Sequence, residues 1–264
     1  MLRFCPLFSS SRGNAVYVGD SRGGVLFDVG RSAKRTTEAL RNIGVDPADV
    51  RAVFITHEHD DHVGGLSVFA AKYDLPVYSA SGTLLELRNR GKLDGRQRTF
   101  TVPEEGMEAG GFFVKPFRTS HDCADGRGYV ITAPDGENRA AIATDTGFVS
   151  PEILQALTGC GLVYIESNHD VAMLKSGPYP YPLQQRILSN IGHLSNEACA
   201  DAVCALIGKG TTRLILAHLS EQNNTPTLAR ETTEAALRDM GALCGRDYTL
   251  DVAEPENSRE PLLL

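Results

Sequence analysis

A seven-residue run, Thr56-His57-Glu58-His59-Asp60-Asp61-His62, follows directly on the apolar segment Arg51 to Ile55. It places three imidazoles and a carboxylate at the end of a buried β-strand, bounded by Gly64 and Gly65. A chain with this arrangement needs a rigid sheet behind the loop, because ligand geometry tolerates little drift. Imidazole nitrogen and carboxylate oxygen together suit zinc, manganese or iron rather than copper(I) or calcium. An H-x-H-x-D-H cluster can serve two metal ions, and such a pair can activate water and clamp both oxygens of a displacement. The run therefore points to a metal-dependent hydrolase.

Three later residues stand at equivalent places, each just after an apolar strand. His121 follows Phe112 to Phe117, Asp145 follows Ala141 to Ala143, and His218 follows Leu214 to Ala217. Strand-end loops are where a scaffold converges side chains. The six cysteines contain no C-x-x-C pair, which argues against a thiolate zinc site and a disulfide framework and fits a reducing, cytoplasmic setting. Hydrophobic content of 42% with 22% charged residues reads as a soluble globular chain without a membrane span or signal peptide. The net charge of −7 gives no global basic footprint for nucleic acid. The densest basic segment is Arg88, Arg90, Lys92, Arg96 and Arg98.

Strands are expected at 2–8, 15–18, 24–28, 52–55, 76–79, 112–117, 128–133, 139–143, 162–165, 213–217 and 248–252. Helices are expected at 32–43, 66–73, 81–90, 151–157, from Tyr179 through Ile191, 196–207 and 228–240. Pro134-Asp135-Gly136 reads as a hairpin turn. The order suggests one domain over 1–252, with 253–264 a frayed tail.

The series His57/His59/Asp61/His62, His121, Asp145, His218 resembles the metallo-β-lactamase-fold superfamily. That resemblance implies an α/β, four-layer αββα sandwich, two mixed β-sheets flanked by helices. It also implies two divalent metal ions (Zn, Mn or Fe): His57, His59 and His121 on one, Asp61, His62 and His218 on the other, with Asp145 and a hydroxide between them. Asp61 would in addition orient that hydroxide. An aspartate at 145, where secreted β-lactamases carry cysteine, leaves phosphodiesterases, nucleases and glyoxalase II-type hydrolases. Gly192-His193-Leu194-Ser195 is similar to an element of ribonuclease Z-type nucleases whose histidine faces the scissile phosphate, so His193 is expected to protonate the leaving oxygen.

Ser9 to Asn14, Glu166-Ser167-Asn168-His169-Asp170, Gly177 to Pro180, Arg186 and Leu216 to Ser220 with Asn223-Asn224 resemble YycJ/WalJ-type proteins, although Ser11-Arg12 departs from a smaller Ser/Gly pair. This implies a cytoplasmic 5′ to 3′ exonuclease with nucleic acid as its partner, DNA ahead of RNA. Asn14, His169 and Arg186 are the expected substrate contacts. The alternatives are a glyoxalase II-like thioester hydrolase, a small cyclic-phosphate phosphodiesterase, and a metal-stabilised binding module without catalysis.

Overall fold

The structure is a computed structural model that describes residues 1–264. Two seven-stranded mixed sheets carry the fold. The first contains β1 (Arg3–Phe8), β2 (Ala15–Asp20), β3 (Gly23–Phe27), β4 (Val50–Phe54), β5 (Val77–Ser79), β6 (Thr99–Thr101) and the C-terminal β14 (Leu262–Leu263), in the order β14-β1-β2-β3-β4-β5-β6. The second contains β7 (Met107–Ala109), β8 (Phe112–Arg118), β9 (Arg127–Thr132), β10 (Arg139–Ala143), β11 (Leu162–Glu166), β12 (Arg213–Ala217) and β13 (Thr249–Val252), in the order β13-β12-β11-β10-β9-β8-β7.

Helices flank both sheets: α1 (Ala33–Asn42), α2 (Asp60–Val63), α3 (Leu66–Lys72), α4 (Ser81–Asn89), α5 (Pro151–Leu157), α6 (Val171–Ser176), α7 (Tyr181–Ile187), α8 (Asn196–Ile207) and α9 (Pro226–Asp239). By contact the chain divides into two compact units, one of residues 1–116, 123–138 and 254–264, the other of residues 117–122 and 139–253.

In the first unit, antiparallel β1-β2-β3 passes into parallel β3-β4-β5-β6. All five residues of β3 are buried, as expected of a strand covered on both faces. Phe54 stacks between Phe27 and Tyr78, with ring centroids 5.3 and 5.0 Å away. Tyr129 packs edge-on against Phe54 and donates its buried hydroxyl to the Ile55 carbonyl at 2.7 Å. That bond fixes the backbone just where β4 gives way to the histidine run, tying core packing to site position.

In the second unit, β10, β11, β12 and β13 are parallel, so the loops after β10, β11 and β12 leave the same end of the sheet. Asp145, Glu166 and His218 stand there. This is the place at which open α/β sheets gather functional groups.

Two local expectations are corrected. The tail is not frayed: Leu262–Leu263 pairs with Arg3 and Phe4, and Leu2 and Leu264 exchange backbone hydrogen bonds. These bonds satisfy part of an otherwise open sheet edge. The helix from Tyr181 stops at Ile187 rather than Ile191. There the Gly192 N–H turns back to Ser189, and the His193 N–H caps the Ile187 carbonyl at 3.0 Å. The early stop lets the chain reverse and present His193.

Candidate active site

His57 to His62 occupies the β4–α2 loop and the first turn of α2. A chain of hydrogen bonds beneath it sets the imidazole tautomers. Asp28, at the end of β3, accepts from the Thr56 N–H, the Thr56 hydroxyl and His62 Nδ1, each at 2.8 Å. The Thr56 hydroxyl oxygen in turn lies 3.0 Å from His57 Nδ1. In a neutral His57 or His62 ring, a proton donated from Nδ1 along this chain leaves the lone pair on Nε2, the atom a metal ligand requires. The His57 ring lies 4.2 Å from that of His62 and 4.5 Å from that of His59, centroid to centroid.

Asn14 closes the other side of this loop. Its Nδ2 lies 3.1 Å from both Asp61 Oδ2 and His62 Nε2, and donates to the Ser10 carbonyl at 3.0 Å. Backbone bonds reinforce the knot: Asn14 N–H to Asp61 O at 2.7 Å, Gly30 N–H to Asn14 O and Val29 N–H to His62 O, both at 2.8 Å. A Cβ on Gly30 would sit 1.8 Å from the Asp61 carbonyl oxygen, so only glycine allows the approach.

In the second unit the organiser is Glu166, wholly buried at the end of β11. Its Oε1 accepts from His193 Nδ1 at 2.7 Å and His218 Nδ1 at 2.9 Å, while Oε2 accepts the Thr146 and Leu194 N–H groups at 3.0 and 3.3 Å. Burial opposes the charge, but the two imidazoles and these donors prevail and hold Glu166 well below the usual carboxylate range. Conversely, burial disfavours the His193 cation, yet Glu166 outweighs it and raises the His193 pKa.

His121 directs Nδ1 to the Gly192 carbonyl at 2.9 Å, which leaves Nε2 to face Asp145 Oδ1 at 3.8 Å. Burial lowers its pKa, against the opposing pull of Asp145. Asp145, Glu166, His193 and His218 each bring a ligand-type atom within 4.8 Å of one another.

Three of these residues sit in left-handed backbone: Asp28 at φ 62°, Asp145 at 58° and His218 at 54°. Each costs on the order of 1–2 kcal/mol. The neighbouring bonds offset that strain, as when Asn168 Nδ2 grips the His218 carbonyl at 2.8 Å. Asn196 and Asn224 exchange reciprocal amide bonds at 2.9 and 2.8 Å, and Asn224 also holds the Ser167 carbonyl at 2.8 Å. This buried network ties the loops after β11 and β12 to the start of α8.

Imidazoles and carboxylates gathered in this way make a nitrogen/oxygen donor set suited to divalent metal ions. Residues 11–218 match the family described as the metallo-beta-lactamase superfamily. The chain belongs to that superfamily. It is similar to exodeoxyribonuclease YycJ of Bacillus anthracis, 36% identical over 256 residues that cover 97% of this chain and 96% of the relative. It is likewise similar to exodeoxyribonuclease WalJ of Streptococcus pneumoniae serotype 2, 35% identical over 261 residues, with 97% and 96% covered. The fold matches the metallo-beta-lactamase fold protein YhfI of Bacillus subtilis at a TM-score of 0.73 and 14% identity, covering 97% of this chain and 98% of that one.

Within this metallo-beta-lactamase member, the residues expected to contact substrate divide. Asn14 is buried behind Asp61 and His62, with its amide nitrogen against both side chains. His169 does not line an open surface: it is 1% exposed, neither ring nitrogen has a hydrogen-bond partner, and burial lowers its pKa. Arg186 is half-exposed but directs Nε to Asp122, beside His121.

Glu58 and Asp60 do not orient imidazoles. Glu58 accepts the Ala124 N–H at 2.7 Å, and Asp60 pairs with Lys92 at 2.8 Å and Arg90 at 3.4 Å. With Arg96 on Asp94 and Arg98 on Asp74, the basic segment is largely neutralised. Sequence reasoning assigned no role to Asp28, Thr56, Glu166 or Asn168. The available signal was that Asp28 and Glu166 end strands, as Asp145 and His218 follow them.

Proposed function

We propose that this protein is a dinuclear metal-dependent phosphodiesterase, an exonuclease that degrades DNA from the 5′ end in the cytoplasm. The observation that carries the reading is His193, tied at 2.7 Å to a buried carboxylate and still 20% exposed at its side chain. Thioester hydrolysis has little use for such an acid, because thiolate leaves readily, whereas a sugar oxygen leaving phosphorus needs a proton. The similarity to relatives named exodeoxyribonucleases supports the same choice.

His57, His59 and His121 would hold one divalent ion, and Asp61, His62 and His218 the other, with Asp145 shared. When bound, such a pair supplies an activated water and neutralises charge on the transferring phosphoryl group. The chain's own residues do the rest. Asp28, through Thr56 and directly, fixes the tautomers of His57 and His62. Glu166 fixes that of His218 and keeps His193 protonated to higher pH, with Nδ1–H held and Nε2–H available for the leaving oxygen. Asp61, held by Asn14, orients the attacking oxygen.

No helix is long and apolar enough to cross a membrane. DNA as the polymer, the 5′ polarity and the manganese, zinc or iron identity of the ions belong to the same proposal. The test is DNA cleavage by wild type and His193→Ala with metal per chain measured in both. A loss of about 10²–10⁴-fold in kcat at unchanged metal content is the predicted result. Equal activity, or turnover of a thioester in place of DNA, would remove the reading.

A further inference from the structure

Arg31 lies in the turn between β3 and α1, one residue beyond the backbone knot that joins Gly30 to Asn14 and Asp61. Its aliphatic stem runs along Gly13. A Cβ there would come within 2.6 Å of Arg31 Cδ and 2.9 Å of Nε, so the missing side chain makes the channel in which Arg31 lies. The guanidinium carbon stands 6.0 Å from the ring centroid of Phe8, at the outer limit of a cation–π contact.

Arg22 meets Asp20, Arg35 Glu256, Arg90 Asp60 and Arg127 Glu104, while Arg3, Arg51 and Arg88 donate to carbonyl or hydroxyl oxygens. Arg31 has no such partner, and its Nε is buried without a hydrogen-bond acceptor. A guanidinium is always charged and offers five donors in a planar fork that matches phosphate oxygens. Burying part of it unsatisfied is costly unless an anion completes it. The loop beside it, Ser9-Ser10-Ser11-Arg12, adds hydroxyls and a second cation, with Ser11 and Arg12 exposed.

We infer that Arg31 anchors a phosphate of the substrate strand, next to the ligand loop that ends in Asp61 and His62. The inference deepens the nuclease reading and rests on it for the identity of the strand. The phosphate is either the terminal 5′ group or a neighbouring diester of the backbone, and both present the same oxygens to the fork. Arg31 is thus a binding and positioning residue that sets the register of the strand, while the acid chemistry stays with His193.

The experiment compares wild type, Arg31→Ala and Arg31→Lys on three substrates: a 5′-phosphorylated oligonucleotide, the same oligonucleotide with a 5′-hydroxyl, and bis-p-nitrophenyl phosphate. Arg31→Ala is expected to lower the ratio of kcat/KM on DNA to that on bis-p-nitrophenyl phosphate by about tenfold or more, mostly through KM. Arg31→Lys should recover part of the ratio, because a point charge replaces the fork. Loss confined to the phosphorylated oligonucleotide assigns the terminal group, and equal loss on both assigns an internal diester. An unchanged ratio overturns the proposal, since a purely structural role would depress all three substrates together. If wild type cleaves no DNA, the nuclease reading fails by itself. Titration of metal-free protein with a 5′-phosphorylated trinucleotide then decides the phosphate site, and equal affinity of wild type and Arg31→Ala would overturn it.

Discussion

Replacing Glu166 with glutamine leaves the shape of the side chain and removes its charge. In the native protein four donors converge on its two oxygens: Nδ1 of His193 and of His218 on one, the Thr146 and Leu194 N–H groups on the other. A glutamine amide must set its NH₂ against one of these pairs. If it faces the backbone pair, two N–H groups lose their acceptor. If it faces the imidazoles, both rings must give up the Nδ1 proton: His218 then carries its proton on Nε2 and loses the ligand atom, and His193 is left neutral and a weaker acid.

Each buried donor left without an acceptor costs about 1–3 kcal/mol, so Glu166→Gln should lose about 2–6 kcal/mol of stability. For a chain of this size that is a fall in Tm of roughly 4 °C at the least. The pH dependence has a definite sign. Glu166 raises the His193 pKa. The stability of the pair is therefore complete below the unfolded histidine value and disappears as pH rises through the folded one. In the variant the alkaline limb of kcat should move to lower pH, because the proton on His193 is lost sooner. Thermal unfolding and a pH–rate profile check both. A variant with wild-type Tm and an unmoved alkaline limb would refute the placement of Glu166 as the organiser of this half of the site.

Asp28→Asn should lower metal affinity by about 10–100-fold with the fold retained, measured by competitive chelation, because an amide opposite His62 Nδ1 favours the tautomer whose Nε2 is protonated. Gly30→Ala should cost about 1–3 kcal/mol or more by denaturant unfolding, since its Cβ has no room beside the Asp61 carbonyl, and an unperturbed midpoint would contradict the close approach. DNA affinity of the metal-free protein should fall steeply with salt, for its contacts with the polymer would be ionic while the net charge is −7. A flat log–log plot of affinity against salt would contradict it.

What was legible in the sequence was linear. The histidine run and the residues just after apolar strands, His121, Asp145 and His218, advertise themselves because strand ends and ligand types coincide locally. The α/β class followed from the same strands, and the two mixed sheets with their helices conform to it. What stayed hidden depends on distance along the chain. Asp28 serves His62 across 34 positions, and Glu166 joins His193 to His218 across 27 and 52. Neither partnership leaves a local pattern. Arg186 looked available for phosphate because Asp122, 64 residues away, could not be placed beside it. The tail looked frayed from its proline and charges, since nothing local shows that β1 has an edge for Leu262 and Leu263. The short edge strands β6 and β7 are three residues each, too few to show alternation.

The most direct test of the account follows digestion of one DNA oligonucleotide labelled in turn at each end, with protein loaded separately with Mn²⁺ or Zn²⁺. A 5′ exonuclease should release the 5′ label at once as a mononucleotide and give a descending ladder from the 3′ label. His193→Ala should show neither at equal metal content. Release of the 3′ label first would overturn the polarity, and intact DNA with metal bound would contradict the nuclease assignment itself.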